Sequence, residues 1–163
     1  HGDVMTFEPD GRYDLVFLGG MLMYLNEGDV IALLRKLAPC IEPGGMILCR
    51  ESTVRGDTVT RQGDYQVVYR SVPDYGRIFG KCGLSALHVE RNEPYVLMQM
   101  GCELVRMWKE MVPERFHVLW SVGHLTYFGL RLCNPWITHI PKALGISFPK
   151  LENHFFVLEA EVS

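Results

Sequence analysis

The sequence predicts an α/β domain built on a parallel β-sheet. Two short apolar runs, residues 15–18 and 46–49, are separated by an amphipathic segment and by the Pro-Gly-Gly break at 43–45. Short unbroken apolar runs are typical of strands buried on both faces, as in parallel sheets. A strand, a helix and a second strand within residues 13–53 form a βαβ unit, whose crossover is right-handed.

A helix is expected over residues 27–38. Asn26 is a good N-cap, and Glu27 and Asp29 place negative charge in the first turn, where the helix dipole favours it. The apolar positions then recur at helical spacing, at Val30, Leu33, Leu34 and Leu37. We expect the Pro-Gly-Gly break to end this helix.

Further elements follow the βαβ unit. In order, we expect a loop over 52–64, an extended segment over 66–70, a helix through 75–79 and a strand over 86–90. Ser71 or Asp74 is suited to cap the helix, and Gly83 to follow its C-terminus.

Residues 95–151 contain two apolar stripes at helical spacing, broken at Pro113, and a last strand is expected at 154–160. The first stripe comprises Leu97, Gly101, Leu104, Val105, Trp108, Met111 and Val112, and the second comprises Phe116, Leu119, Trp120, Gly123, Tyr127 and Leu130. These helices are interpreted as a satellite core, or as a lid over an acceptor site. An amphipathic membrane-contact helix is a third alternative, disfavoured because few basic residues lie on the polar face.

The ordered set Tyr13-Asp14-Leu15-Val16, glycine turn, helix, Glu42-Pro43-Gly44-Gly45 and strand resembles the second half of a class I S-adenosylmethionine-dependent methyltransferase. The resemblance covers residues 1–92 and resumes at the last strand. It implies a Rossmann-like doubly wound sheet, with 95–151 as a helical insertion before the last strand. It also implies S-adenosylmethionine as cofactor and methyl transfer by in-line displacement.

The resemblance also implies site residues. Asp3 stands where the family receives the adenine amino group, and the backbone of Val4 would meet the adenine edge; the alternative for Asp3 is an ordinary turn residue. The positions expected near the methionine part of the donor are Leu18, Gly19, Gly20 and Met23.

The acceptor side is expected to include Tyr24, Arg50, Glu51 and Trp120. Glu51 is interpreted either as an acceptor-orienting carboxylate or as a partner for a basic residue, with Arg50 as its ion-pair partner or as a clamp for an acidic substrate. No catalytic base is identified. The histidines show no metal-ligand spacing, so no metal is expected.

The family's glycine-rich loop and ribose-binding acid have no counterpart in these residues, so residues 1–163 are expected to be a methyltransferase domain without its N-terminal glycine-rich half. Two rival interpretations are a nicotinamide-dependent oxidoreductase fragment and a non-catalytic Rossmann-like binding domain. A Tyr-x-x-x-Lys motif, which would favour the oxidoreductase, is not found.

Composition limits the partners. The net charge of -3 gives no indication of nucleic-acid binding, so a small-molecule or protein acceptor is expected. The five cysteines, at 40, 49, 82, 102 and 133, form no CxxC pair and are expected to be buried free thiols in the cytoplasm. No signal peptide and no apolar run of about 18 residues suggests export or a membrane span.

Overall fold

The computed structural model describes residues 2–114, 117, 120–134, 136–145 and 150–160. The chain divides into two compact units. We call His1–Arg91 with Asn153–Ser163 the sheet unit, and Asn92–Glu152 the helical unit.

The strands are β1 (Tyr13–Gly19), β2 (Ile41–Val54), β3 (Val59–Arg61), β4 (Val67–Ser71), β5 (Leu84–Arg91) and β6 (Glu152–Ala160). The helices are α1 (Glu27–Leu37), α2 (Val72–Gly80), α3 (Glu93–Met111), α4 (Trp120–Cys133) and α5 (Trp136–Ala143), with 3-10 turns at Leu22–Tyr24 and Ala38–Cys40. The sheet order is β3-β4-β2-β6-β5, and β1 also pairs with β2.

The predicted βαβ unit is confirmed. β1 and β2 are parallel, with Leu18 opposite Cys49. α1 lies between them in the chain, and the side chain of Asn26 accepts a hydrogen bond of 2.9 Å from the backbone N–H of Asp29. The cap expected from the sequence therefore forms.

The Pro-Gly-Gly break has a different role from the one expected. α1 already ends at Leu37, and the break lies inside β2, where the pairing register with β1 shifts. A Cβ atom on Gly45 would lie 2.9 Å from the backbone oxygen of Asp14, so the two strands approach too closely for a side chain. Gly44 adopts a φ of 84°. These glycines shape the irregular entry into β2.

The prediction that β1 is buried on both faces is wrong. Leu18 is buried and Val16 packs against the core, but Leu15 is 54% and Phe17 55% exposed. The reason is that α1 and α2 contribute to a single core cluster on one side, together with β2, β5 and β6. Among the described residues of the sheet unit, the face carrying Leu15 and Phe17 is uncovered.

The segment over 52–64 was expected to be a loop, but only part of it is. β2 continues to Val54, and β3 forms a hairpin with β4. β4 itself confirms the expected extended segment, and it lies parallel to β2. Ser71 caps α2 by accepting from the backbone N–H of Asp74. Gly83 has a φ of 68° in the turn that follows.

The last strand is as predicted, because β6 pairs antiparallel with β5 over Leu84 to Arg91. The helical unit is thus inserted in the chain between these two strands. α3 ends at Met111, just before Pro113, as expected. α5 was not expected, because a proline at position 141 favours a break in a helix. Phe116 and Leu119 of the second stripe lie outside the described residues.

The cysteines differ in part from expectation. All five are free thiols; Cys49 and Cys82 are buried and Cys40 is half-buried, but Cys102 and Cys133 are exposed. Both exposed thiols lie in the helical unit, on helix positions that the apolar stripes do not cover. Within the described ranges, none of the helices combines the length and the apolar character needed to cross a membrane.

Candidate functional site

The candidate site begins at the turn that follows β1. The backbone N–H of Gly20 donates a 2.7 Å hydrogen bond to the backbone oxygen of Arg50, which joins the carboxyl end of β1 to β2, while β2 itself continues to Val54. Gly20 has a φ of 70°, and a Cβ built on it would meet no atom within 4 Å. The turn therefore offers open space above exposed backbone, at the edge where open α/β sheets bind ligands.

The side chain of Glu51 stabilises the 3-10 turn, Leu22–Tyr24, that follows Gly20. It is fully buried, and its Oε1 accepts hydrogen bonds of 3.2 Å from the backbone N–H groups of Met21 and Leu22. These N–H groups lie at the start of a 3-10 turn and have no partner within the turn itself. Burial raises the pKa of the Glu51 carboxyl to about 7, although the hydrogen bonds and the charge of Arg70 act in the opposite direction. The second oxygen, Oε2, is buried without a hydrogen bond from any described residue.

Arg70, on β4, holds the other end of the same turn. It is buried, and its guanidinium donates to the backbone oxygens of Leu22 at 2.9 Å and Leu25 at 2.7 Å. The guanidinium carbon also lies 5.9 Å from the centre of the Tyr75 ring. The sequence analysis missed Arg70, because a single arginine in a strand is usually exposed and no spacing marks it as buried.

The predicted donor and acceptor residues cluster in part. Leu18 is buried, Met23 is half-buried, and Tyr24 is exposed on the 3-10 turn. A Cβ on Gly19 would lie 2.9 Å from the Phe17 ring and 3.8 Å from the Arg50 guanidinium, so both side chains flank the glycine.

Arg50 and Glu51 do not pair with each other. Consecutive strand residues face opposite sides of a sheet, and accordingly Arg50 is exposed while Glu51 is buried against the turn. The hydrogen bonds of Glu51 are therefore with backbone groups, and the nearby basic side chain is Arg70 rather than Arg50.

Asp3 and Val4 lie in a separate, open cleft of about 580 Å³, lined by residues of the segment 2–8. Oδ1 of Asp3 accepts a 2.9 Å hydrogen bond from the backbone N–H of Met5, whereas Oδ2 has no hydrogen bond among the described residues. Lys36 fixes the segment to α1 by donating to the backbone oxygens of Met5 and Phe7. Asp3 thus stabilises the turn through one of its two carboxylate oxygens.

The helical unit contains a groove of its own, which we call the α3–α4 groove. It has a volume of about 570 Å³ and is lined by Pro94, Leu97, Met98, Gly101, Cys102, Val105, Arg106, Lys109, Gly123, Thr126, Tyr127 and Leu130. Gly101 and Gly123 keep it open, because neither carries a side chain. The lining is apolar except near the end of α3, where Arg106 and Lys109 are exposed.

Part of the two apolar stripes predicted from the sequence lines the α3–α4 groove. Met111 is exposed outside it, and the stripe residues that line it are Leu97, Gly101, Val105, Gly123, Tyr127 and Leu130. The ring of Trp108 lies 6.1 Å from that of His117. Trp120 begins α4, and its side chain lies outside the described part of the chain.

No protein-family model matches the chain. Over 84 residues, half of the chain, it is 38% identical to the demethylmenaquinone methyltransferase of Staphylococcus saprophyticus. Over 111 residues, it is 24% identical to phosphoethanolamine N-methyltransferase 1 of Arabidopsis thaliana. The alignments cover 34% and 22% of those two proteins, so the chain spans only a minor part of their length.

Among solved structures, an O-methyltransferase of a polyketide multienzyme from Brevibacillus brevis, in complex with S-adenosyl-L-homocysteine, superposes with a TM-score of 0.62. The match covers 98% of this chain and 48% of that one, at 11% identity. The chain has the class I methyltransferase fold. The Gly19-Gly20 turn follows β1, which lies parallel to β2.

Proposed function

We propose that the protein transfers a methyl group from S-adenosylmethionine to an acceptor with a substantial apolar part. The observation that carries this proposal is the Gly19-Gly20 turn. It presents open backbone at the carboxyl end of β1, beside the parallel strand β2, in a chain that is similar over half of its length to a known methyltransferase.

The residues at this turn fit the methionine part of the donor. Gly20 admits a ligand to the backbone, because a Cβ there would fill space that is otherwise empty. Gly19 lies beside the exposed Arg50, whose guanidinium is suited to a carboxylate. Oδ2 of Asp3 is suited to accept from an exocyclic amine such as that of adenine.

When bound, S-adenosylmethionine would supply a methyl group activated by its sulfonium, which the acceptor's nucleophile would take in line as the C–S bond breaks, with S-adenosylhomocysteine as the leaving group. The chain's own contribution is then mainly to position the reactants and to exclude water. The buried side chains of Glu51 and Arg70 hold the 3-10 turn after Gly20 in one conformation. The backbone that would face the donor is therefore preorganised. A base is needed only for a nucleophile that starts protonated, and we assign none.

The α3–α4 groove supports an apolar acceptor. Its walls are mainly aliphatic and sulfur-containing side chains with one tyrosine, the polar lining residues being Arg106, Lys109 and Thr126, and it is large enough for a group the size of a substituted ring. We propose that it holds the apolar part of the acceptor, which is the lid role foreseen for residues 95–151.

Calorimetric titration of the protein with S-adenosylhomocysteine tests the proposal. We expect saturable binding with one molecule per chain, and no binding of NADH under the same conditions. The absence of any binding of S-adenosylhomocysteine would contradict the proposal, and binding of NADH alone would favour the oxidoreductase alternative.

A further inference from the structure

The two ends of the α3–α4 groove differ in chemical character. α3 lines the groove with a single face, because the lining residues recur at intervals of three or four from Pro94 to Lys109. This face is about 22 Å long. From Pro94 to Val105 it consists of apolar and sulfur-containing residues, and it ends in two cations, Arg106 and Lys109. A molecule lying along α3 would therefore meet an apolar wall first and positive charge at the end.

α4 runs antiparallel to α3 along the groove. A Cβ on Gly101, in the middle of α3, would lie 3.3 Å from the side chain of Leu130, near the end of α4. The ring of His117, just before α4, lies 6.1 Å from that of Trp108, near the end of α3. The basic end of the groove is therefore also where α4 begins. The negative end of the α3 dipole and the positive end of the α4 dipole offset each other there, so the charged side chains decide the sign of the potential.

The charged side chains that line the groove all have the same sign. Among the described residues, Arg106 and Lys109 line it, both exposed, and no acidic residue does. Glu103 and Glu114 are close to them in the chain but do not line the groove. Arg106 has an ion pair of 4.0 Å with Glu110, which also lies outside the lining, and this pair is weak because both side chains are exposed. The lining thus carries two positive charges, one of them shared with Glu110.

We propose that the α3–α4 groove binds an apolar molecule that carries one carboxylate, with the carboxylate at Arg106 and Lys109. Both cations donate charge-assisted hydrogen bonds to a carboxylate, and the apolar wall removes the rest of the molecule from water. A cationic ligand would be repelled, and a doubly charged phosphate fits less well because Arg106 is shared with Glu110. The proposal rests on the proposed function for the role of the groove as the acceptor site, and the acceptor would then be an apolar carboxylic acid.

Calorimetric titration with decanoate at neutral pH, where this acid is ionised, tests the proposal without S-adenosylmethionine. Decanol and decyltrimethylammonium are the comparison ligands, because they have the same alkyl chain with a neutral and a cationic head. We expect decanoate to bind more tightly than decanol, decyltrimethylammonium to bind most weakly, and added salt to weaken the binding of decanoate. Failure of decanoate to bind, or binding no tighter than that of either comparison ligand, would overturn the proposal.

Lys109→Met tests the charge alone, because methionine keeps an apolar side chain where the lysine stem lies. We expect this variant to bind decanoate about fivefold more weakly, as for the loss of one exposed ion pair, and to bind decanol as the unmodified protein does. Lys150→Met is the matched control, since Lys150 is exposed in the same unit but does not line the groove. Equal affinities of the two variants for decanoate would contradict the proposal.

Gly123→Leu, which fills the groove, should prevent the binding of decanoate, whereas Gly129→Leu, outside it on the same helix, should not. Melting curves by circular dichroism establish that the variants are folded. Unchanged decanoate binding by a folded Gly123→Leu variant would place the ligand elsewhere and refute the proposal. A protein that binds S-adenosylhomocysteine but not decanoate would refute this inference and leave methyl transfer standing. The reverse result would support the groove ligand and contradict the proposed function.

Discussion

Glu51 and Arg70 hold opposite ends of the same short 3-10 turn. The carboxylate accepts from the N–H groups of Met21 and Leu22, and the guanidinium donates to the oxygens of Leu22 and Leu25. Both side chains are buried, yet each is satisfied mainly by backbone rather than by the other's charge. Together they replace the hydrogen bonds that a turn of this length cannot make for itself.

The raised pKa of Glu51 predicts a pH-dependent contribution to stability. The folded pKa of about 7 lies above the ordinary value of 4.5, so folding favours the protonated carboxyl. Its contribution is complete below pH 4.5 and is lost as the pH rises through 7. We expect Glu51→Gln to match the unmodified protein at low pH and to be more stable than it above pH 7, by up to about 3 kcal/mol.

Urea unfolding of both proteins at a series of pH values measures this difference in the free energy of unfolding. Glu159→Gln is a suitable control, because Glu159 is exposed on β6. A difference between Glu51→Gln and the unmodified protein that stays constant across the pH series would show that the carboxyl titrates as an ordinary one.

Arg70→Met should destabilise the protein by about 2–5 kcal/mol, because the backbone oxygens of Leu22 and Leu25 lose the hydrogen bonds of a buried guanidinium and Glu51 loses a nearby positive charge. Arg50→Met, on the exposed side of β2, should change the free energy of unfolding by less than about 0.5 kcal/mol. Chemical denaturation of both variants compares the two. Equal losses would mean that the contacts of Arg70 with the turn contribute little.

The sequence was sufficient to predict the elements whose signals are local. The cap at Asn26 and the helix after it follow from capping chemistry and apolar spacing, whereas the pairing of the last strand with β5 follows from the resemblance to the methyltransferase family. These features depend on residues close together in the chain or on a fixed topology, so one sequence carries them.

Features that depend on packing at a distance were not predictable. Whether β1 is covered on one face or on two depends on which helices pack there. The apolar run at 15–18 has the same pattern in both cases, so it does not distinguish them. The partner of Glu51 is a turn 29 residues earlier in the chain.

Asp3→Asn separates the two interpretations of Asp3. The amide oxygen of asparagine can still accept from Met5, so the turn should remain, whereas the free carboxylate oxygen is replaced by a donor. If Asp3 receives the adenine amino group, calorimetry should show S-adenosylhomocysteine binding weakened by about 1–3 kcal/mol. An unchanged dissociation constant would leave Asp3 as a turn residue.

Gly20→Ala should weaken the binding of S-adenosylhomocysteine, because the new methyl group enters the open space above the turn. The φ of 70° also makes alanine costly there, by about 1–2 kcal/mol of stability. Gly83→Ala is the matched control, with a φ of 68° and equally open surroundings at the end of α2. Both variants should melt earlier by similar amounts, and only Gly20→Ala should bind the ligand less tightly. Equal affinities would remove the turn from the donor site.

Gly123→Leu tests the α3–α4 groove, because a Cβ on Gly123 meets no atom within 4 Å and a larger side chain would fill the groove rather than disrupt the helix. With an apolar acceptor, we expect a KM raised about tenfold through loss of the apolar contacts, and an unchanged affinity for S-adenosylhomocysteine. Gly129→Leu, on the same helix, exposed and outside the groove, should leave both constants unchanged. Both replacements raise helix propensity equally, so a difference between them reports on the groove alone. Identical acceptor kinetics in the two variants would mean that the acceptor binds elsewhere.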